Sequence, residues 1–105
     1  MFIYNTTFFV DNDLIDTFLD YMKINYVPDM KTSEILPNPH LFKLLDTSDN
    51  LSGCSFSLQF SATDCPTLNN WLEERGNRLL SNLTEDFNQR ILFFSTLLEE
   101  IPLKE

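Results

Sequence analysis

The sequence predicts a single α+β domain over residues 1–105, laid out as β-α-β-β-α-β, the split βαβ plan. Three patterns predict it. Aromatic and β-branched runs stand near both ends of the chain. Two amphipathic stripes of helical period lie between them. The stripes are separated by a segment of strict apolar–polar alternation. The plan places both helices on one face of a four-stranded antiparallel sheet, with the first and third strands as the central pair.

The first strand is read at residues 2–10, Phe2-Ile3-Tyr4-Asn5-Thr6-Thr7-Phe8-Phe9-Val10. Apolar residues occupy both of its alternate sets, which predicts a central strand covered twice. Asp11-Asn12-Asp13 offers capping oxygens and negative charge for a helix start. Leu14, Ile15, Phe18, Leu19 and Met22 then recur at helical spacing, giving a helix from Asn12 to Asn25. Pro28 disfavours helical geometry at Val27, and Pro28 to Lys31 reads as a short extra turn. Pro37-Asn38-Pro39 is a stiff extended connection, His40 to Asp46 the second strand, and Thr47 to Gly53 a hairpin loop.

The third strand is the cleanest. Cys54, Phe56, Leu58, Phe60 and Ala62 alternate with Ser55, Ser57, Gln59 and Ser61, so one face is core and the other is small and polar. Asp64 is the expected cap of the second helix, with Pro66 in its first turn. Leu68, Trp71, Leu72, Leu79, Leu83 and Phe87 carry its stripe. Gly76 interrupts it at about 1 kcal/mol relative to Ala, and a kink or break is expected there. The last strand, Arg90 to Glu99, has Ile91, Phe93 and Leu97 on one face and Leu92, Phe94 and Leu98 on the other. That reads as a central strand, whereas the plan puts it at an edge. The conflict disappears if a second copy covers the open sheet face, with edges paired across the dimer. A monomer would leave Phe9 and Phe94 in water at about 2 kcal/mol each.

Composition narrows the function. Sixteen acidic residues against seven basic ones give a net charge of -9, so phosphate backbones and anionic membranes are repelled on average; neither nucleic acid nor a membrane is an expected partner. An RNA-binding sheet would need basic residues beside its aromatics. With two glycines and no Gly-rich loop or nucleophile-elbow motif, the common phosphate-binding and hydrolase signatures are absent. Cys54 and Cys65 lack C-x-x-C spacing and read as free thiols. The start lacks a basic leader region, and no apolar run reaches the ~18–20 residues of a bilayer span. The expected location is therefore cytoplasmic, where the N-x-T triplets at Asn5 and Asn82 carry no glycan.

The opening Met1-Phe2-Ile3-Tyr4-Asn5-Thr6-Thr7 resembles that of domain-of-unknown-function family 4286. Tyr26-Val27-Pro28-Asp29-Met30, Phe56-Ser57-Leu58-Gln59-Phe60 and Phe94-Ser95-Thr96-Leu97-Leu98-Glu99 are similar to later pieces of that family, in the same order over nearly the whole chain. The resemblance implies a ferredoxin-like fold of the dimeric α+β barrel type and supplies no activity. It also implies a His, another His and an Arg at three positions where this chain has Tyr26, a residue near Leu83, and Ser95. No catalytic residue carries over.

Candidate sites are few. His40 is the sole histidine, and without further ligands at suitable spacing it makes no metal site. Asp11 and Asp13 are better explained as caps than as a metal loop. The ligand site expected is a cavity between the two sheets of the dimer, lined by Ser57 and Gln59 with Tyr4 or Asn5, and by Ser95 and Thr96; the inward register is open. The preferred reading is a homodimeric module for association or small-molecule binding, without catalysis and without a cofactor. The alternative is a cofactor-free monooxygenase- or isomerase-like enzyme using that cavity. A haem-handling barrel with His40 as axial ligand is the third.

Overall fold

The alternation that fixes β3 also fixes the sheet. In the computed structural model, which describes residues 2–28, 39–45, 53–62 and 64–103, β1 (Phe2–Asp11), β2 (His40–Lys43), β3 (Gly53–Ala62) and β4 (Leu92–Glu99) form one antiparallel sheet in the order β2-β3-β1-β4. The connection before Pro39 and the hairpin loop before Gly53 lie outside the described residues. β1 and β3 are the central pair, in register from Phe2 opposite Ala62 to Asp11 opposite Gly53. Close approach at that end requires Gly53, because a Cβ there would lie 2.4 Å from the carbonyl oxygen of Val10.

This register turns Thr6, Phe8 and Val10 of β1 and Phe56, Leu58 and Phe60 of β3 toward the helices, where all six are buried. β1 is followed by a 3₁₀ turn (Asn12–Leu14), α1 (Ile15–Tyr21) and a π-helical stretch (Met22–Tyr26). β3 leads through Asp64 to α2 (Cys65–Trp71), a second π-helical stretch (Leu72–Gly76) and α3 (Asn77–Asp86). Phe18, Met22 and Tyr26 from the first helical run meet Leu68, Trp71, Leu79 and Leu83 from the second over the sheet. Aromatic edges fill the centre: Phe8 lies 5.4 Å from Phe18 and 6.1 Å from Tyr26 between ring centroids, and Phe60 lies 5.1 Å from Trp71.

Several helix ends differ from the pattern-based expectation. Asp64 caps α2 as expected, accepting from Thr67 N at 2.7 Å. Asp11 makes no cap with its side chain. It accepts from Arg90 Nη2 at 3.3 Å, as Asp13 does at 2.9 Å. This pins the approach to β4 beside the β1–α1 junction, and the hydrogen bond to Asp13 holds the Arg90 pKa above its ordinary value. The first helical run does not stop before Pro28. Val27 keeps helical angles and donates to Met22 O, five residues back, and the wider π turn carries the helix up to the proline.

Gly76 produces no break. Its φ is -58°, and helix continues on both sides. The π turn swings Trp71 back over the glycine, and a Cβ there would stand 2.6 Å from Trp71 Cζ3 and 2.9 Å from Leu72 Cδ2. The residue is glycine for space. α3 ends in a Schellman turn: Asn88 N donates to Glu85 O and Gln89 N to Thr84 O, with Asn88 at φ 53° and Gln89 at φ 61°.

β4 is an edge strand, and its central reading is corrected. Every residue from Leu92 to Glu99 is exposed, including Leu92 at 68% and Phe94 at 62% on the open face and Leu97 at 48% on the helix side. The helical layer does not reach over this edge. Phe9, by contrast, is only partly exposed, being flanked within the sheet.

Two tests follow from the core. Gly76→Ala gains about 1 kcal/mol of helix propensity but must displace the Trp71 ring, an overpacking that costs roughly 1–3 kcal/mol. The expected net result is a lower Tm in a thermal melt. Tyr26 is buried, and burial first, then Tyr4 and Tyr21 when ionised, push its phenol well above the ordinary 10. A raised folded-state pKa gives stability that is present below about pH 10 and lost as pH climbs through the folded value. Denaturant midpoints measured at about pH 8 and about pH 11 should therefore fall in the native chain, and fall less in Tyr26→Phe.

Candidate functional site

The face of the sheet away from the helices is uncovered, and its residues follow from the register. Four rows cross it. Ser61, Ile3 and Leu98 form the first; His40, Gln59, Asn5 and Thr96 the second; Phe42, Ser57, Thr7 and Phe94 the third; Ser55, Phe9 and Leu92 the fourth. The two middle rows are polar at their centres, and β1 and β4 frame them with Ile3 and Leu98 on one side and Phe9 and Leu92 on the other. Phe42 and Phe94, 51% and 62% exposed, close the ends of the third row.

The polar centre is internally hydrogen-bonded. Ser57 Oγ donates to Asn5 Oδ1, Gln59 Nε2 donates to Ser57 Oγ at 3.3 Å, and Asn5 Nδ2 donates to Thr7 Oγ1 at 3.1 Å. Ser57 is buried although it lies on this open face. The strand positions on this face carry no Lys, Arg or Glu, since Lys43 and Glu99 belong to the opposite alternate set, and their one Asp, Asp11, is held at the far end by Arg90. At the corner beyond Gln59, a shallow pocket of about 220 Å³ is lined by Ile3, His40, Gln59, Phe60 and Ser61. His40 stands exposed there, its ring centroid 6.2 Å from that of Phe42.

Of the six residues expected in the site, Asn5, Ser57, Gln59 and Thr96 share this face. Tyr4 and Ser95 do not. Both belong to the opposite alternate set: Tyr4 packs on Phe60 at 5.2 Å between centroids, and Ser95 Oγ lies 3.0 Å from Thr6 Oγ1. A strand cannot present adjacent residues to one face, so the pairing of Tyr4 with Asn5 and of Ser95 with Thr96 resolves to Asn5 and Thr96. Thr7 was not singled out. It lies two residues from Asn5, and a period-2 reading anchored on Asn5 would have included it.

A model of the family described as Domain of unknown function (DUF4286) matches residues 1–101. The chain belongs to the DUF4286 family. No curated protein sequence matches it. Solved structures share the fold at low identity: an EthD-family protein from Bacillus halodurans (TM-score 0.71, 10% identity, 96% of this chain and 100% of that one) and an antibiotic biosynthesis monooxygenase (TM-score 0.69, 16%, 97% and 100%). A dimeric ferredoxin-like protein from an uncultured marine organism is similar at TM-score 0.61 and 14% identity, over 95% and 97% of the two chains. The fold of this DUF4286 chain is thus ferredoxin-like.

The positions at which the family resemblance implied His and Arg do not converge on the open face. Tyr26 is buried in the core, as is Leu83, near which the second His was implied, and Ser95 faces the helix side. Among the described residues, no group of three or more His, Cys, Asp or Glu side chains is placed to hold a metal ion, and no helix is long and apolar enough to cross a membrane. Cys54 and Cys65 are free thiols, part-buried and on the helix side or in α2. A second groove, of about 530 Å³, runs between α3 and β4 past Leu80, Thr84 and Phe93 on the opposite side of the sheet. It contains none of the six expected residues.

The Ser57 hydroxyl both donates and accepts within the row, so Ser57→Ala leaves Asn5 Oδ1 and Gln59 Nε2 each short of a partner. A loss of about 1–2 kcal/mol is expected, seen as a lower urea midpoint. Ser61→Ala, at the rim of the same strand, should leave that midpoint within about 0.5 kcal/mol of the parent.

Proposed function

We propose that this protein works as a homodimer whose open sheet faces pack together, and that it binds a small molecule between them without catalysing a reaction. The observation that carries this reading is the layout of the face: a neutral polar centre enclosed by exposed Leu92, Phe94, Leu98 and Phe42. Such a rim in water is costly, and a second copy supplies a self-complementary cover. The strands present roughly 500 Å² in projection at about 4.8 Å between strands and about 3.3 Å per residue. Protruding side chains raise the accessible area toward the ~800 Å² per partner of a standard interface. The likeness to a protein described as dimeric and ferredoxin-like supports association of two chains. Pairing of the β4 edge with the partner would also satisfy the unpaired backbone groups of that strand. The side chains of the polar centre are engaged with one another, which suits a binding role.

A second reading, a cofactor-free monooxygenase- or isomerase-like enzyme, is favoured by one feature. The corner pocket places His40, the sole histidine of the chain and a general-base candidate, beside Gln59 and Ser61. The likeness to an antibiotic biosynthesis monooxygenase makes such chemistry worth assaying. Substrate turnover that His40→Ala abolishes would displace the non-catalytic reading.

Light scattering at micromolar concentration tests the dimer. The expected mass is that of two chains. Phe94→Glu puts a charge into the rim and should give the one-chain mass at unchanged helicity. Ile24→Glu, at an exposed position on the helical layer, should leave two chains together. A one-chain mass for the native protein would end the proposal.

A further inference from the structure

The hydrogen bonds at the centre of the open face run in one direction. Gln59 donates to Ser57, Ser57 to Asn5, and Asn5 to Thr7. The row ends on Thr7, whose hydroxyl hydrogen has no acceptor among the described residues. Asn5 Nδ2 carries two hydrogens and uses one on Thr7, and its second has no acceptor among the described residues. These two donors sit on atoms 3.1 Å apart. The two amide hydrogens diverge by about 120°, so the second points away from Thr7, and the Thr7 hydroxyl is the donor left at this end of the row. What the row leaves open at its Thr7 end is therefore donor capacity at one place.

The surroundings define the rest of the ligand. Beside Thr7 an enclosed charge would meet no counter-charge, since Asp11 is already held by Arg90 and His40 lies in the neighbouring row two strands away, so a charged ligand is disfavoured there. Phe94 stands opposite Thr7 on the β4 side, and Phe42 closes the same row beyond Ser57. Two sheets packed face to face are about 10 Å apart and filled largely by their own side chains, which leaves a thin slot. We infer that the paired faces bind an uncharged, flat, apolar molecule by its carbonyl oxygen. Thr7 Oγ1 donates to that oxygen, and the body of the molecule lies against Phe94 and Phe42. This inference rests on the dimer proposed above, and it specifies the ligand class for that site.

A matched set of probes tests it: 9-fluorenone, fluorene, which lacks the carbonyl, and fluorene-9-carboxylate, which adds a charge. Retention is measured by equilibrium dialysis, with light scattering on the same samples. The native dimer should hold 9-fluorenone at least about fivefold more tightly than either other probe, the preference one well-made hydrogen bond provides. The bound carbonyl stretch should move to lower wavenumber. Thr7→Val should erase the preference and Thr7→Ser should keep it. A native dimer that holds fluorene or the carboxylate as tightly as 9-fluorenone, or that binds none of the three, overturns the ligand assignment and leaves the dimer standing. A folded Thr7→Val dimer that retains the preference overturns it too. A native one-chain mass removes the dimer reading itself, and the ligand assignment with it.

Discussion

The register between β1 and β3 is the constraint on which the rest of the molecule depends. Side chains alternate along a strand, so a slip of one residue would send Phe8 and Val10 to solvent and bring Asn5 and Thr7 under the helices. The core accepts only one choice. Phe8 and Val10 are fully buried, whereas Asn5 and Thr7 find polar partners on the other face. Gly53 fixes one end of the pairing by its contact with the Val10 carbonyl, which no side chain would allow. Once this pair is set, β4 is aligned on β1 and β2 on β3, and every row of the open face follows.

Legibility in the sequence tracked how many competing forces act at each residue. β3 could be read in full, because its apolar set goes to one place and its small polar set to the other. The split βαβ order was legible for the same reason, as each element announced itself by period. β1 could not be assigned a face. Tyr4 and Asn5, or Phe8 and Phe9, are equally good strand residues, and only cross-strand packing separates them. Thr6 illustrates the difficulty: a polar residue, it is nevertheless buried, tied to Ser95 at 3.0 Å. Ser95 and Thr96 posed the same ambiguity on β4. Local rules misled where a longer-range contact won. Asp11 had the chemistry of a cap but is drawn to Arg90, and Gly76 had the look of a helix break but makes room for Trp71.

β4 shows a different limit. Its two apolar faces are the pattern of a covered strand, and within one chain it is not covered. Pairing with β1 uses one edge of its backbone, and the helical layer stops short of its side chains. A sequence pattern records the environment in which a residue functions, and an isolated chain need not contain that environment. The mismatch between Phe94 as patterned and Phe94 as exposed is thus an argument about association, independent of any likeness to other proteins. It also explains why the acidity of the chain is useful. A net charge of -9 adds repulsion between chains, which opposes indiscriminate sticking of an apolar rim and leaves room for one well-matched contact.

The polar centre and the apolar rim then act on each other. Asn5, Thr7 and Gln59 are part-solvated when the face is open, so a hydrogen bond offered to a ligand there competes with water and contributes little. Covering the face removes that competition and raises the cost of leaving the Thr7 donor unused. A ligand that satisfies it stabilises the covered state and not the open one, and linkage requires the converse: association must strengthen ligand binding by the same factor. The hydrogen-bonded row through Asn5 limits the penalty when no ligand is present, since three of its four members already satisfy one another. On the dimer proposed above, the residual Thr7 donor is a small cost to a covered face without ligand, and an acceptor oxygen would remove it.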